Sequence, residues 1–102
     1  MVNIAITSYD IGIPPMFKNV GGFLHLSPQE YQNILDNFNS WGITEFNIIG
    51  GEPSIHADFD EILKLTNKFA NKNPKAKINI YTNGYNLSNY IHLLGLNTNI
   101  VL

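Results

Sequence analysis

Cysteine is absent from the 102 residues, and so is arginine; all six cationic side chains are lysines. Without a thiol the chain can form no disulfide and run no thiolate catalysis. It can hold neither a Cys-ligated zinc nor a Cys-ligated iron–sulfur cluster. Without arginine it has no guanidinium fork for guanine, and a formal net charge of -2 offers no basic face to a phosphate backbone. Nucleic acid is therefore not an expected partner. No apolar run approaches the ~20 residues of a membrane span. The start "MVNIAITSYD" lacks the basic region, apolar core and small-residue cleavage site of a secretory leader. The expectation is a cytoplasmic protein without a membrane partner. Charged residues make up only 14% against 44% hydrophobic ones, which is a globular composition, and the length suits a single domain over residues 1–102. A Gly-x-Ser-x-Gly elbow and a phosphate-loop lysine are also missing, so serine-hydrolase and nucleotide-loop readings fail.

What is present alternates strand and helix signals. Asn3 to Thr7, "NIAIT", reads as a strand, followed by "SYDIGIPPMFKNVGGFLHL" with its Pro-Pro pair. A connection that long inside a compact domain is usually functional or disordered. "SPQE", Ser27 to Glu30, is a capping box with proline at the first helical position. Tyr31, Ile34, Leu35, Phe38 and Trp41 give that helix one apolar stripe, and Gly42 suits the left-handed residue after its end. "ITEFNII" is the second strand. Phe59, Ile62, Leu63, Thr66, Phe69 and Ala70 carry the helical period of the second helix, which stops at Pro74. "KINIY" is the third strand, a short third helix is expected from about Ser88 to Leu94, and "TNIVL" is a fourth strand. The fifteen asparagines are scattered along the chain and prompt no functional inference.

Strand, helix, strand, helix, strand, helix, strand predicts an α/β domain with a parallel sheet, in which ligands bind at the carboxyl ends of the strands. The long first loop, "GGEP" after the second strand and "TNG" after the third all lie at that end. Two adjacent glycines, a glutamate and a proline between an apolar run and a helix are more than a simple turn needs. Gly50 and Gly51 permit close backbone approach, the carboxylate of Glu52 can accept from an ammonium group, and Pro53 fixes the turn. The plainer alternative is a βα turn with Glu52 solvated near a helix N-terminus.

In order, "GGEP" closing a strand, "SIHADFDEIL" and "INIYTNGYNL" resemble the radical S-adenosylmethionine (radical SAM) superfamily, especially its peptide- and cofactor-maturing branch. "LSPQEYQNIL" ahead of "WGI" is similar too, and the likeness runs over the whole chain. It implies a parallel partial (half) TIM-like barrel. It also implies a rim of Gly50, Gly51, Glu52, Pro53, Thr82 and Asn83 against the methionine end of S-adenosylmethionine. The family's Cys-x3-Cys-x-aromatic-Cys loop holds a [4Fe–4S] cluster; here Ile11, Pro15 and Lys18 stand at the cysteine positions and Phe17 at the aromatic one. Isoleucine and proline offer iron no donor, and a lysine amine does not replace a thiolate. Closed barrels also run to about 250 residues, so four strands leave hydrophobic edges that a homodimer would complete.

Other constellations are weaker. His25, His56 and His92 lack the spacing of a helical zinc site, so no metal is expected, and only His56 falls near the rim. Asp58 and Asp60 read equally as helix N-terminal carboxylates. Asp10 and Glu52 could form an acid–base pair. Tyr81, Tyr85 and Tyr90 flank the third rim loop, where packing explains them better than adenine stacking. Three functional readings follow. The first is a cluster-less radical SAM-like domain, not catalytic by itself, with a vestigial rim for S-adenosylmethionine, a peptide or a protein partner. The second is a fragment or cysteine-altered form of a radical SAM peptide- or cofactor-modifying enzyme, and the third a self-associating half-barrel.

Overall fold

A computed structural model describes residues 2–7, 25–84, 86–95 and 97–102. Four parallel strands lie in the order β1 (Val2–Thr7), β2 (Glu45–Gly50), β3 (Lys77–Tyr81) and β4 (Thr98–Val101). Helix α1 (Pro28–Trp41) connects the first two and α2 (Phe59–Lys72) the second and third. The parallel α/β architecture agrees with the sequence reading. The third helix does not form as expected: two separate 3-10 turns, Leu87–Asn89 and Ile91–Leu93, replace it. They break at Tyr90, whose ring packs edge-on against Phe59 at 4.9 Å. No side chain caps either turn.

The sheet has two unlike faces because strand side chains alternate. Ile4, Ile6, Phe46, Ile48, Ile78 and Ile80 face the helices and form the core with Tyr31, Leu35 and Phe38 of α1 and Phe59, Ile62, Leu63 and Phe69 of α2. Phe46 is its centre, edge-on to Phe38 at 5.3 Å and to Phe69 at 5.5 Å. The opposite row contributes nothing to this core. It carries Asn3, Asn47, Asn79 and Asn99 at one level of all four strands. Each amide donates to its neighbour: Asn47 to Asn3 at 2.9 Å, Asn79 to Asn47 at 3.0 Å and Asn99 to Asn79 at 3.4 Å. Asparagines that look scattered in the chain thus form one ladder, because their positions share a register that only strand pairing creates.

The capping box at Ser27 is present in full, with Glu30 N–H donating to Ser27 Oγ and Ser27 N–H to Glu30 Oε1. At the other end of α1, Gly42 has φ +71 and Ile43 N–H donates back to Phe38 O at 2.9 Å. This left-handed closure folds Ile43 onto the core and turns Trp41 out, 67% exposed, so Trp41 leaves the stripe assigned to it. The α2 stripe is buried at all six assigned positions.

Tyr31 is fully buried and its hydroxyl lies 2.7 Å from Thr66 Oγ1. Thr66 spends its proton on Ile62 O at 2.7 Å, so the tyrosine is the donor, and burial pushes its pKa upward. Tyr31→Phe should cost about 1 kcal/mol and leave Thr66 bonded to Ile62, whereas Tyr31→Ala should cost about 3–5 kcal/mol through the cavity it opens. Urea unfolding of both variants measures the difference, and equal losses would contradict the assignment.

Candidate functional site

The carboxyl ends of β2 and β3 meet at one carboxylate, and the backbone beside it joins β1. The turn leaving β2 runs Gly50, Gly51, Glu52 and then a 3-10 turn at Pro53–Ile55. Pro53, at the first position of that turn, has no N–H to leave unpaired. Glu52 is only 1% exposed, which overturns the solvated alternative. Its Oε2 accepts from Ser54 N–H at 2.9 Å, from Thr82 Oγ1 at 2.5 Å and from the Ser54 hydroxyl. Its Oε1 accepts from the Asn83 N–H at 2.7 Å. Burial alone would push this carboxyl up, but the donors of Ser54, Thr82 and Asn83 outweigh it and hold the group below its ordinary value, hence ionised.

Thr82 is the hub of the β3 end. Besides its bond to Glu52 it accepts from Gly84 N–H at 3.1 Å, and its own N–H donates to Val101 O of β4 at 3.0 Å. On the other side, Gly51 N–H donates to Thr7 O of β1 at 2.9 Å. A Cβ added at Gly50 would stand 2.4 Å from that same carbonyl. Gly50 is therefore glycine because the β1 backbone crowds it, and the close approach its missing side chain permits is made by the chain's own β1. The register between β1 and β2 slips between Ala5 and Thr7, where this crowding occurs.

A second latch closes the rim beside β1. His56 is buried; its Nε2 lies 2.6 Å from Leu26 O and its Nδ1 accepts from Asp58 N–H at 2.9 Å. Those partners assign the proton to Nε2 and the neutral form to the ring. Its pKa is lowered, chiefly by burial and further by the neighbouring His25, against opposite effects of the Leu26 carbonyl and Asp58. His25 stacks on His56 with ring centres 3.8 Å apart and its Nδ1 is 3.3 Å from Thr7 Oγ1. His56 thus holds the start of α1 against that of α2, and both of its ring nitrogens are engaged in doing so.

Of the residues assigned from the sequence, Gly50, Gly51, Glu52, Pro53, Thr82 and Asn83 come together. Ile11, Pro15, Phe17 and Lys18 lie outside the described residues, as do Asp10 and Tyr85. Asp58 is the residue before α2 and makes no side-chain cap, while Asp60 lies in the first turn. Tyr90 is packed on Phe59 and Tyr81 is an exposed residue of the core-free sheet face. Ser54 and Thr7 are rim residues the sequence reading missed; the one available signal was a hydroxyl two positions from Glu52, the spacing of a local side-chain to backbone turn. Among the described residues no group of three His, Asp or Glu side chains could hold a metal ion, and no helix is long and apolar enough to cross a membrane.

A sequence profile of the Radical SAM superfamily matches residues 8–98. Curated relatives include GTP 3',8-cyclases. That of Synechocystis sp. is 34% identical over 73 residues, covering 72% of this chain and 21% of the relative. Those of Aeromonas hydrophila and Psychromonas ingrahamii are 34% identical over 74 residues and 37% over 65, covering 72% and 64% of this chain and 21% and 18% of the relatives. The matched segment is thus about a fifth of each relative's length. No solved structure matches significantly.

The rim should make stability fall on acidification in two stages. The folded-state value of His56 lies below its ordinary 6.5, so its contribution is complete above pH 6.5 and is lost as pH falls through the lowered value. Glu52 is likewise depressed below 4.5, so its contribution is present above pH 4.5 and lost further down. Chemical denaturation from pH 8 to pH 3 should show both losses. Glu52→Gln should diminish the lower one, leaving the part due to Glu30, whose carboxyl the Ser27 capping box also holds below its ordinary value, and should leave the upper one intact; a variant curve parallel to wild type below pH 4.5 would count against the clamp.

Proposed function

The chain belongs to the Radical SAM superfamily, and from that premise we propose that it is a cluster-less member whose rim binds an amino-acid end, that of S-adenosylmethionine or of a peptide. The observation that carries this reading is the Glu52 carboxylate. It is held ionised at the carboxyl ends of the strands, with three donors on Oε2 and a single one on Oε1. A carboxylate oxygen accepts about two hydrogen bonds, so Oε1 keeps capacity for an ammonium group. Bound S-adenosylmethionine would supply that ammonium together with a sulfonium and an adenosine. Glu52 and the Gly51 and Asn83 backbone would orient its amino-acid end, and Thr82 and Ser54 would hold Glu52 in place. The iron–sulfur cluster of the family does not fit this chain, which has no thiolate to offer iron. Reductive cleavage of the cofactor is therefore not assigned to it.

Binding should be weak. Hydrogen bonds contribute a net ~0.5–3 kcal/mol each, and the family's iron contact to the amino-acid group has no counterpart here. Calorimetry should give micromolar or weaker affinity for S-adenosylmethionine, reduced about tenfold or more in Glu52→Gln, a loss of roughly 1.4 kcal/mol or more. Binding of equal strength in the variant would sink the placement.

The second reading, a cysteine-altered form or a portion of a peptide- or cofactor-modifying enzyme, draws on the match to GTP 3',8-cyclases over a fifth of their length. Anaerobic reconstitution with iron and sulfide separates the two. The chain as it stands should remain colourless, and the combined Ile11→Cys, Pro15→Cys, Lys18→Cys variant should take up a cluster if the loop keeps the family's frame. A brown wild-type protein with stoichiometric iron would refute the cluster-less reading.

A further inference from the structure

We propose that the Asn83–Gly84 pair at the rim is a self-modification site, where Asn83 converts to aspartate and isoaspartate at a rate governed by the Glu52–Thr82 clamp. Of the fifteen asparagines, Asn83 alone is followed by glycine. Conversion begins when the next backbone nitrogen reaches the asparagine side-chain carbonyl carbon. A side chain on that next residue crowds the approach and narrows its φ, and glycine does neither. Asn73 precedes Pro74, whose nitrogen carries no proton to lose.

Position agrees with the sequence. Asn83 is exposed, and Gly84, at φ +82, lies in a bend outside the strands and helices. The ladder asparagines Asn3, Asn47, Asn79 and Asn99 are instead fixed within paired strands. Water therefore reaches the one asparagine whose following nitrogen is least hindered.

The reaction needs only the chain and water. Gly84 N loses its proton and bonds to Asn83 Cγ, the Cγ–Nδ2 bond breaks, and the amide group leaves as ammonia with that proton. A cyclic imide remains. Water then opens the imide at either carbonyl, giving aspartate or isoaspartate and one new carboxylate.

The clamp opposes the first step. Gly84 N–H donates to Thr82 Oγ1 at 3.1 Å, and Thr82 Oγ1 in turn donates to Glu52 Oε2 at 2.5 Å. Asn83 N–H donates to Glu52 Oε1 at 2.7 Å. The backbone on both sides of the Asn83 side chain is thus tied to one buried carboxylate, directly at residue 83 and through Thr82 at residue 84. To attack, Gly84 N has to give up its bond to Thr82, so closure proceeds through a local opening of the rim.

The product in turn opens the clamp. Its carboxylate sits on the residue whose N–H serves Glu52, and a second negative charge there disfavours the ionised form of the first. Isoaspartate also inserts a methylene into the main chain between Asn83 Cα and Gly84 N. The two N–H groups then no longer fit the same carboxylate network, and the change is one-way.

Incubation of the folded chain in heavy-oxygen water at mildly alkaline pH, followed by peptide mass spectrometry, reads the site directly. Label should enter at Asn83 before any other asparagine, and several-fold more slowly than in the urea-unfolded chain. Thr82→Val, which frees the Gly84 N–H, should speed labelling of the folded protein several-fold. Glu52→Gln should speed it too, and serves if circular dichroism shows that Thr82→Val is unfolded. Tyr31→Phe weakens the core without touching the rim and should leave the rate unchanged. Modified protein separated by ion exchange should unfold at lower urea than the parent. Label appearing first at another asparagine, equal rates folded and unfolded, clamp variants no faster than wild type, or Tyr31→Phe as fast as the clamp variants would each overturn the proposal, as would a modified form of unchanged stability.

Discussion

The Glu52 carboxylate is the contact on which the carboxyl end of the sheet depends. It closes the β2 turn on itself through Ser54 and reaches across to the hydroxyl and backbone that leave β3. Thr82 then carries the connection to β4, and Gly51 carries it to β1. A buried charge without partners would be costly, and a buried charge with four donors is instead a rigid joint. The same bonds keep it ionised, so the joint and the charge are one chemical fact.

The rim and the core make opposite demands on glycine and on polar residues. In the core, alternation and helical period place aromatic and branched side chains around Phe46, and any residue of similar shape would satisfy the packing. At the rim, Gly50 cannot carry a side chain because the Thr7 carbonyl occupies its place. His56 likewise cannot change protonation without losing the bond from Asp58 N–H. Polar geometry therefore constrains the loops more tightly than hydrophobicity constrains the helices.

The asparagine row extends polar order to the face that the helices leave uncovered. Amide ladders across strands fix register, since a shift of one residue in any strand would send its asparagine to the helix-covered face.

By itself the sequence determined the parallel α/β class, the capping box at Ser27, the α2 stripe and the rim turn with its glutamate, because each rests on spacing within a few residues. It determined the absence of a thiolate outright. Only the tertiary structure decided that Trp41 turns outward, that the stretch around Tyr90 breaks into two 3-10 turns, and that Gly50 answers to Thr7. It also decided that Asn3, Asn47, Asn79 and Asn99 stand in one line and that Ser54 and Thr82 share one carboxylate. Those outcomes follow from contacts between residues far apart in the chain, set by strand register and backbone crowding that no local pattern encodes.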